Sequence, residues 1–119
     1  MSGLSGKRIL VVEDEPLVAA MIEDMLIELG ATVVGPAFSI AQALLLAKDG
    51  NFDAAVLDVN VRNERIDPVA DVLRSRLVPL VFATGYGRGA TLTAGNAPII
   101  DKPYSHDKLQ TALHRALDI

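Results

Sequence analysis

The chain has 119 residues, of which half are hydrophobic, with a formal net charge of −4 and no cysteine. This length and apolar content fit one domain with a hydrophobic core, and the lack of cysteine excludes disulfides, zinc–thiolate sites and thiol nucleophiles. The negative charge and the few aromatic residues, three Phe and two Tyr, argue against nucleic acid or an anionic membrane as the partner. No apolar run approaches the roughly 18 residues of a membrane span, and the first residues lack a signal-peptide apolar region, so a cytoplasmic location is expected.

The first part of the chain alternates short apolar runs with an amphipathic segment. Residues 1–6 are small and polar, and we expect them to be disordered. The apolar run Ile9–Val12 predicts a first strand, and apolar residues at helical spacing over 18–29 predict a first helix that stops at Gly30. Residues 32–34 predict a second short strand, closed by a Gly-Pro pair.

The next strand ends in a carboxylate. Ser39, with Gln42 three residues later, is a capping-box signal for a second helix, and Gly50 marks its end. The run Ala54–Leu57 then has no polar alternation, which is typical of a strand buried on both faces of a parallel sheet. Asp58 follows this run directly, so its carboxylate is expected at the carboxyl end of a buried strand.

The second half continues the alternation with one weak helix. Residues 60–66 predict a polar loop, and Asp67 and Pro68 predict the N-cap and first residue of a third helix. Residues 79–84 predict a fourth strand. The glycine-rich stretch 85–96 follows, and since glycine costs about 1 kcal/mol per helical position, a fourth helix there should be short or disordered.

The last elements are a short strand over 98–100 and a helix capped by Ser105, with an apolar stripe over 109–117. Strand and helix thus alternate five times. This pattern predicts an α/β fold with a five-stranded parallel sheet and helices on both faces, doubly wound and flavodoxin-like.

Polar groups follow four of the predicted strands. Because parallel strands place their carboxyl ends at one edge of the sheet, these groups should meet where such sheets bind ligands. Each has an ordinary explanation when taken alone, such as complementing a helix dipole or forming a turn. Their coincidence at one edge favours a functional site made of Glu13, Asp14, Asp58, Thr84 and Lys102.

This set of residues resembles the receiver domain of two-component response regulators. The match runs from Ile9 to Leu117 and consists of an acidic pair after the first strand, an Asp after the third, a Thr after the fourth and a Lys-Pro pair after the fifth. The stretch PLVFATGYG over residues 79–87 is further similar to the single-domain receivers with a Phe-Ala-Thr-Gly-Tyr signature, the FAT GUY subgroup.

The resemblance implies a role for each residue of the set. Asp58 matches the phosphoacceptor, Thr84 the hydroxyl that contacts the phosphoryl group, and Lys102 the cation that pairs with it. The implied ligands of a Mg²⁺ (or Mn²⁺) ion are Glu13, Asp14, Asp58 and the backbone carbonyl of Asn60.

The sequence departs from the family pattern in three places. Val61 and Arg62 stand where the family usually has Met-Pro, and Ile99 stands where it often has an aromatic switch residue. The segment between Thr84 and Lys102 is also shorter than is typical of the family. Tyr86 and Tyr104 are the aromatic residues that could take over the switch.

The implied function is that of a single receiver domain over residues 1–119, since no residues follow for a DNA-binding or enzymatic output. It would take a phosphoryl group from a histidine kinase or histidine phosphotransfer protein in a phosphorelay, and would signal by protein–protein interaction or act as a phosphate sink. It would be neither an enzyme nor a binder of nucleic acid or membranes. Two alternatives stay open: a dehalogenase-type phosphatase with Asp58 as nucleophile, although Asn60 replaces the second Asp of such enzymes, and a phosphorylation-independent interaction domain.

Overall fold

Five parallel strands form the central sheet of the computed structural model, which describes residues 3–84, 97–101 and 104–119. The strands are β1 (Arg8–Val12), β2 (Thr32–Ala37), β3 (Ala54–Asp58), β4 (Asn60–Val61), β5 (Glu64–Arg65), β6 (Leu80–Thr84) and β7 (Ile99–Asp101). The sheet has the order β2-β1-β3-β6-β7, and β4 and β5 form a separate antiparallel hairpin.

Helices cover both faces of this sheet. They are α1 (Pro16–Glu28), α2 (Ile40–Asp49), α3 (Asp67–Ser75) and α4 (His106–Leu117). One core cluster joins the sheet to α2 and α3, and a second joins it to α1 and α4. Every residue of β3 and β6 is buried, which explains why these strands show no polar alternation. The predicted doubly wound α/β fold is confirmed, while the predicted fourth helix falls in 85–96, outside the described residues.

No helix in the described ranges is both long and apolar enough to cross a bilayer.

The second strand is longer than predicted. It continues through Gly35 and Pro36 to Ala37, and the N–H of Glu13 donates to the Ala37 oxygen (3.0 Å). A proline is tolerated there because β2 lies at the edge of the sheet, where one side of the strand needs no ladder partner. The register between β1 and β2 shifts before this end, which accommodates the Gly-Pro pair.

The segment 60–66, predicted as a polar loop, contains the β4–β5 hairpin. Arg62 and Asn63 at its tip both have left-handed backbone angles (φ 51° and 64°), as a two-residue type I′ turn requires. Val61 and Ile66 are fully buried and anchor the hairpin on the α2–α3 side of the core.

Two of the three predicted helix caps are confirmed. The hydroxyl oxygens of Ser39 and Ser105 each accept a hydrogen bond, at 3.2 Å, from the backbone N–H three residues later. Asp67 does not cap α3, because the helix already includes it and the preceding residue is Ile66. Its carboxylate instead accepts a hydrogen bond from the Arg65 side chain (3.1 Å).

The amino-terminal segment differs from the predicted disorder at residues 3–6. Leu4 is fully buried in the cluster that joins the sheet to α1 and α4. The N–H of Gly6 donates to the oxygen of Gly30 (3.0 Å), which ties the segment to the end of α1.

The predicted stop of α1 at Gly30 is confirmed. The N–H of Gly30 donates to the Ile27 oxygen and that of Ala31 to the Leu26 oxygen, both at 2.9 Å, which is the Schellman arrangement. Gly30 has a φ of +90°, and a Cβ atom there would lie 3.2 Å from the Cα of Ser5. This position therefore needs glycine for both its backbone angle and its space.

Replacing Gly30 by alanine is expected to lower the free energy of unfolding by about 2 kcal/mol, because the left-handed angle is strained and the new methyl group meets backbone. Gly6→Ala is the matched control, since Gly6 also has a positive φ (+76°) but nothing lies within 4 Å of its added Cβ. Gly6→Ala should lower the free energy of unfolding by only about 1 kcal/mol. Urea denaturation of both variants measures the difference, and equal losses would contradict the steric part of the argument.

Candidate functional site

Three acidic side chains meet at the carboxyl edge of the sheet. Glu13 and Asp14 follow β1, Asp58 ends β3, and these two strands are hydrogen-bonded neighbours. One carboxylate oxygen from each residue lies within 4.8 Å of the others. The juxtaposition expected from the sequence is therefore present for these three residues.

Two of these carboxylates are buried on the same face of the sheet. Asp58 follows Val56 by two residues and Glu13 follows Val11 by two, and both valines belong to the α1–α4 cluster. Glu13 is 0% exposed and Asp58 7% exposed. Burying neighbouring carboxylates is unfavourable unless positive charge or hydrogen bonds compensate them, so the site is suited to a cation.

The backbone of Asn60 faces the acidic cluster. Its N–H donates to Oδ1 of Asp58 (3.3 Å). In the hairpin, the Ile66 N–H donates to the Val59 oxygen (2.9 Å), so the next pair, Asn60 with Arg65, is of the non-hydrogen-bonded kind. In such a pair the N–H and C=O of a residue both point away from the opposite strand. The carbonyl of Asn60 therefore points to the side on which Asp58 lies.

The hairpin also contacts Asp14. The backbone N–H of Arg62 donates to Oδ2 of Asp14 (2.9 Å) and holds this partly exposed carboxylate beside the cluster. This contact was not predicted, because it depends on the turn at the hairpin tip. The Arg-Asn pair, with asparagine tolerant of left-handed angles, is the only sequence signal that could have indicated it.

Thr84 lies at the same edge of the sheet. It follows Ala83, which pairs with Asp58 across β3 and β6, and it is buried. Asp101 of β7 pairs with Thr84, so the chain reaches this edge again immediately before Lys102. Lys102 itself, and Tyr86 of the FAT GUY-like stretch, lie outside the described residues.

Tyr104 also lies in this region, and the sequence suggested for it only the role of aromatic switch residue. It is 7% exposed and packs in the α1–α4 cluster, whereas Ile99 of β7 is 39% exposed. Burial, and after it the negative charges of Glu13, Asp58 and Glu15, raise the pKa of the Tyr104 hydroxyl far above its ordinary value. The phenol is therefore protonated at any physiological pH, and its O–H is able to donate a hydrogen bond.

Comparison with solved structures gives full-length matches. SdrG from Sphingomonas melonis Fr1 is 44% identical, with 100% of both chains covered and a TM-score of 0.82. The receiver domain of the sensor histidine kinase PA1611 from Pseudomonas aeruginosa PAO1, solved with a magnesium ion coordinated in the active site cleft, is 28% identical. That match covers 97% of this chain and 100% of the other, with a TM-score of 0.84.

The chain spans about half the length of the curated relatives it matches. One of these, the phyllosphere-induced regulator PhyR of Methylorubrum extorquens, is 29% identical over 116 residues, which are 92% of this chain and 43% of PhyR. The sequence profile of the response regulator receiver domain matches residues 9–114, which contain all three acidic residues. The chain therefore belongs to the response regulator receiver domain family.

Proposed function

We propose that this chain accepts a phosphoryl group on Asp58 from a phosphohistidine of a histidine kinase or histidine phosphotransfer protein, in a reaction that requires Mg²⁺ (or Mn²⁺). The observation that carries the proposal is the cluster of Glu13, Asp14 and Asp58, whose oxygens lie within 4.8 Å of one another. Asp58 is the central residue of this cluster, because it adjoins both the other carboxylates and the end of β6.

The donor set fits a magnesium ion. Mg²⁺ prefers oxygen ligands at about 2.0–2.1 Å in octahedral geometry, which places neighbouring ligand oxygens about 3 Å apart and opposite ones about 4 Å apart. The three carboxylates need only small side-chain movements to reach this spacing, and the Asn60 carbonyl faces the same side. When bound, the cation would neutralise charge on the carboxylates and on the incoming phosphoryl oxygens.

The residues of the chain then have distinct proposed roles. A carboxylate oxygen of Asp58 forms a bond to phosphorus as the phosphorus–nitrogen bond of the phosphohistidine breaks, and the imidazole nitrogen keeps the electron pair. Such transfers depend on alignment and charge stabilisation more than on covalent help from the protein. In the proposal, the Thr84 hydroxyl donates to a phosphoryl oxygen of the product and the Lys102 ammonium pairs with its charge.

The proposed role is regulatory. Phosphorylated Asp58 adds negative charge at the sheet edge, which would change binding to a partner protein or drain phosphate from a kinase in the cytoplasm. A dehalogenase-type phosphatase is less well supported, because the residue two positions after Asp58 is Asn60, and its side-chain amide cannot act as a general acid. Nucleic acid and membranes are not among the proposed partners.

Intact-mass spectrometry after incubation with acetyl phosphate tests this function. With Mg²⁺ the chain is expected to gain one phosphoryl mass, and with EDTA it should gain none, because without the cation the negative charge of the acidic cluster would repel the donor. With a generic phosphomonoester, no sustained turnover is expected. A missing mass gain with Mg²⁺, an equal gain in EDTA, or many turnovers of the phosphomonoester would each contradict the proposal.

A further inference from the structure

The hydroxyl of Tyr104 is a buried polar group that the proposed phosphoryl transfer does not use. The side chain is more than nine-tenths buried, and its hydroxyl oxygen has no hydrogen-bond partner within the described parts of the chain. Buried hydroxyl groups are nearly always paired in folded proteins, because an unpaired one has lost its bonds to water without replacement. Phenylalanine would fill the same space without this loss, so the hydroxyl indicates a partner beyond the contacts that the described residues make here.

The acidic cluster supplies such a partner. Tyr104 packs on the α1–α4 face of the sheet together with Val11 and Val56, and the alternation of the strands places Glu13 and Asp58 on that same face. After burial, the charge of Glu13 contributes most to raising the pKa of the Tyr104 hydroxyl, followed by that of Asp58. Both observations place Tyr104 in the part of the core that lies next to these carboxylates.

We propose that Tyr104 is a positioning residue of the metal site, whose hydroxyl donates a hydrogen bond to the carboxylate of Glu13 when a divalent cation is bound. The inference rests on the proposed function, since it requires that the cluster holds Mg²⁺. A carboxylate that binds a metal through one oxygen commonly has its second oxygen held by an outer hydrogen bond, which fixes its orientation. Glu13 is fully buried, so this bond would come from a protein group rather than from solvent, and the protonated Tyr104 hydroxyl is able to donate one.

Tyr104→Phe tests the assignment, because it removes only the hydroxyl. We expect the Kd for Mg²⁺, measured by calorimetric titration of the full chain, to rise about tenfold, as for the loss of other outer hydrogen bonds to metal ligands. The unfolding midpoint in EDTA should stay the same or rise, because the hydroxyl has no hydrogen bond to any described residue that the substitution would remove. A residue with a merely structural role would show the opposite, a lower midpoint in EDTA and little change in Mg²⁺ affinity.

A double-mutant cycle with Glu13→Gln shows whether Tyr104 acts through Glu13. If it does, Tyr104→Phe should weaken Mg²⁺ binding in the wild-type background but have little further effect once Glu13 is replaced. Suppose that the wild type binds Mg²⁺ and that Glu13→Gln weakens this binding. A Kd for Tyr104→Phe within twofold of wild type, or additive effects in the cycle, would then overturn the role of Tyr104 but leave the proposed function standing. Absence of Mg²⁺ binding in the wild type would instead overturn the proposed function together with this inference.

Discussion

Asp58→Asn is expected to abolish the mass gain from acetyl phosphate and Mg²⁺, reducing it to background. The substitution removes the negatively charged oxygen that would bond to phosphorus, and it takes one carboxylate from the proposed metal ligands. The side-chain oxygen of asparagine can still accept the hydrogen bond that the Asn60 N–H donates to Asp58 (3.3 Å). Since the substitution also relieves repulsion within the cluster, the unfolding midpoint in EDTA should not fall.

Asp53→Asn is the matched control for this prediction. Asp53 precedes β3 at the opposite end of the same strand, and its carboxylate accepts a hydrogen bond from the Arg8 N–H (2.7 Å). Its replacement should leave phosphorylation at the wild-type level. A mass gain that persists in Asp58→Asn, or one that disappears in Asp53→Asn, would contradict the assignment of Asp58.

Asp58→Asn also tests the third possible function, an interaction domain that does not depend on phosphorylation. Such a domain would bind its partner equally well with Asp58 or asparagine at this position. For the proposed receiver, the partner's affinity should change on phosphorylation of the wild type and should not respond to acetyl phosphate in Asp58→Asn. The response to the phosphodonor therefore separates the two functions.

The fold could be predicted from the sequence because the strongest local patterns and the tertiary structure agree. The apolar runs 9–12, 54–57 and 79–84 show no alternation because helices cover both faces of the strands that contain them. The positions of Glu13, Asp14 and Asp58 followed from a topological rule, namely that parallel strands end at one edge of the sheet. No knowledge of side-chain packing was needed to place these three residues together.

The features that the sequence did not predict depend on contacts between distant segments of the chain. The hairpin after Asp58 is held by the burial of Val61 and Ile66 beneath residues that are otherwise polar, so composition alone favoured a loop. Leu4 is an isolated apolar residue in a polar segment, and only its place in the α1–α4 cluster accounts for its burial. The sequence carries no signal that the Tyr104 hydroxyl lacks a partner among the described residues, because whether a buried polar group is paired depends on the folded geometry.

Phe82→Ala should produce the largest loss of stability, about 3–5 kcal/mol, because it opens a cavity at a fully buried aromatic side chain. Phe82 lies on β6, between β3 and β7, and packs in the α2–α3 cluster. A guanidinium group, that of Arg74, also lies 5.7 Å from the centre of its ring. This loss is a large share of the 5–15 kcal/mol typical of a small domain, so we expect a much lower midpoint in urea denaturation.

Phe52→Ala is the control that separates burial from the cation–π contact. Phe52 has a similar arrangement, with the Arg76 guanidinium 5.9 Å from the ring centre, but the side chain is only partly buried. Because cation–π contacts near the surface contribute only about 0.5–1 kcal/mol, Phe52→Ala should lose less than half as much stability as Phe82→Ala. Equal losses would show that the guanidinium contacts, rather than the packing of β6, dominate at both positions. Phe82→Leu, which keeps most of the buried volume, should recover much of the loss and allow Asp58 phosphorylation to be measured in a folded variant.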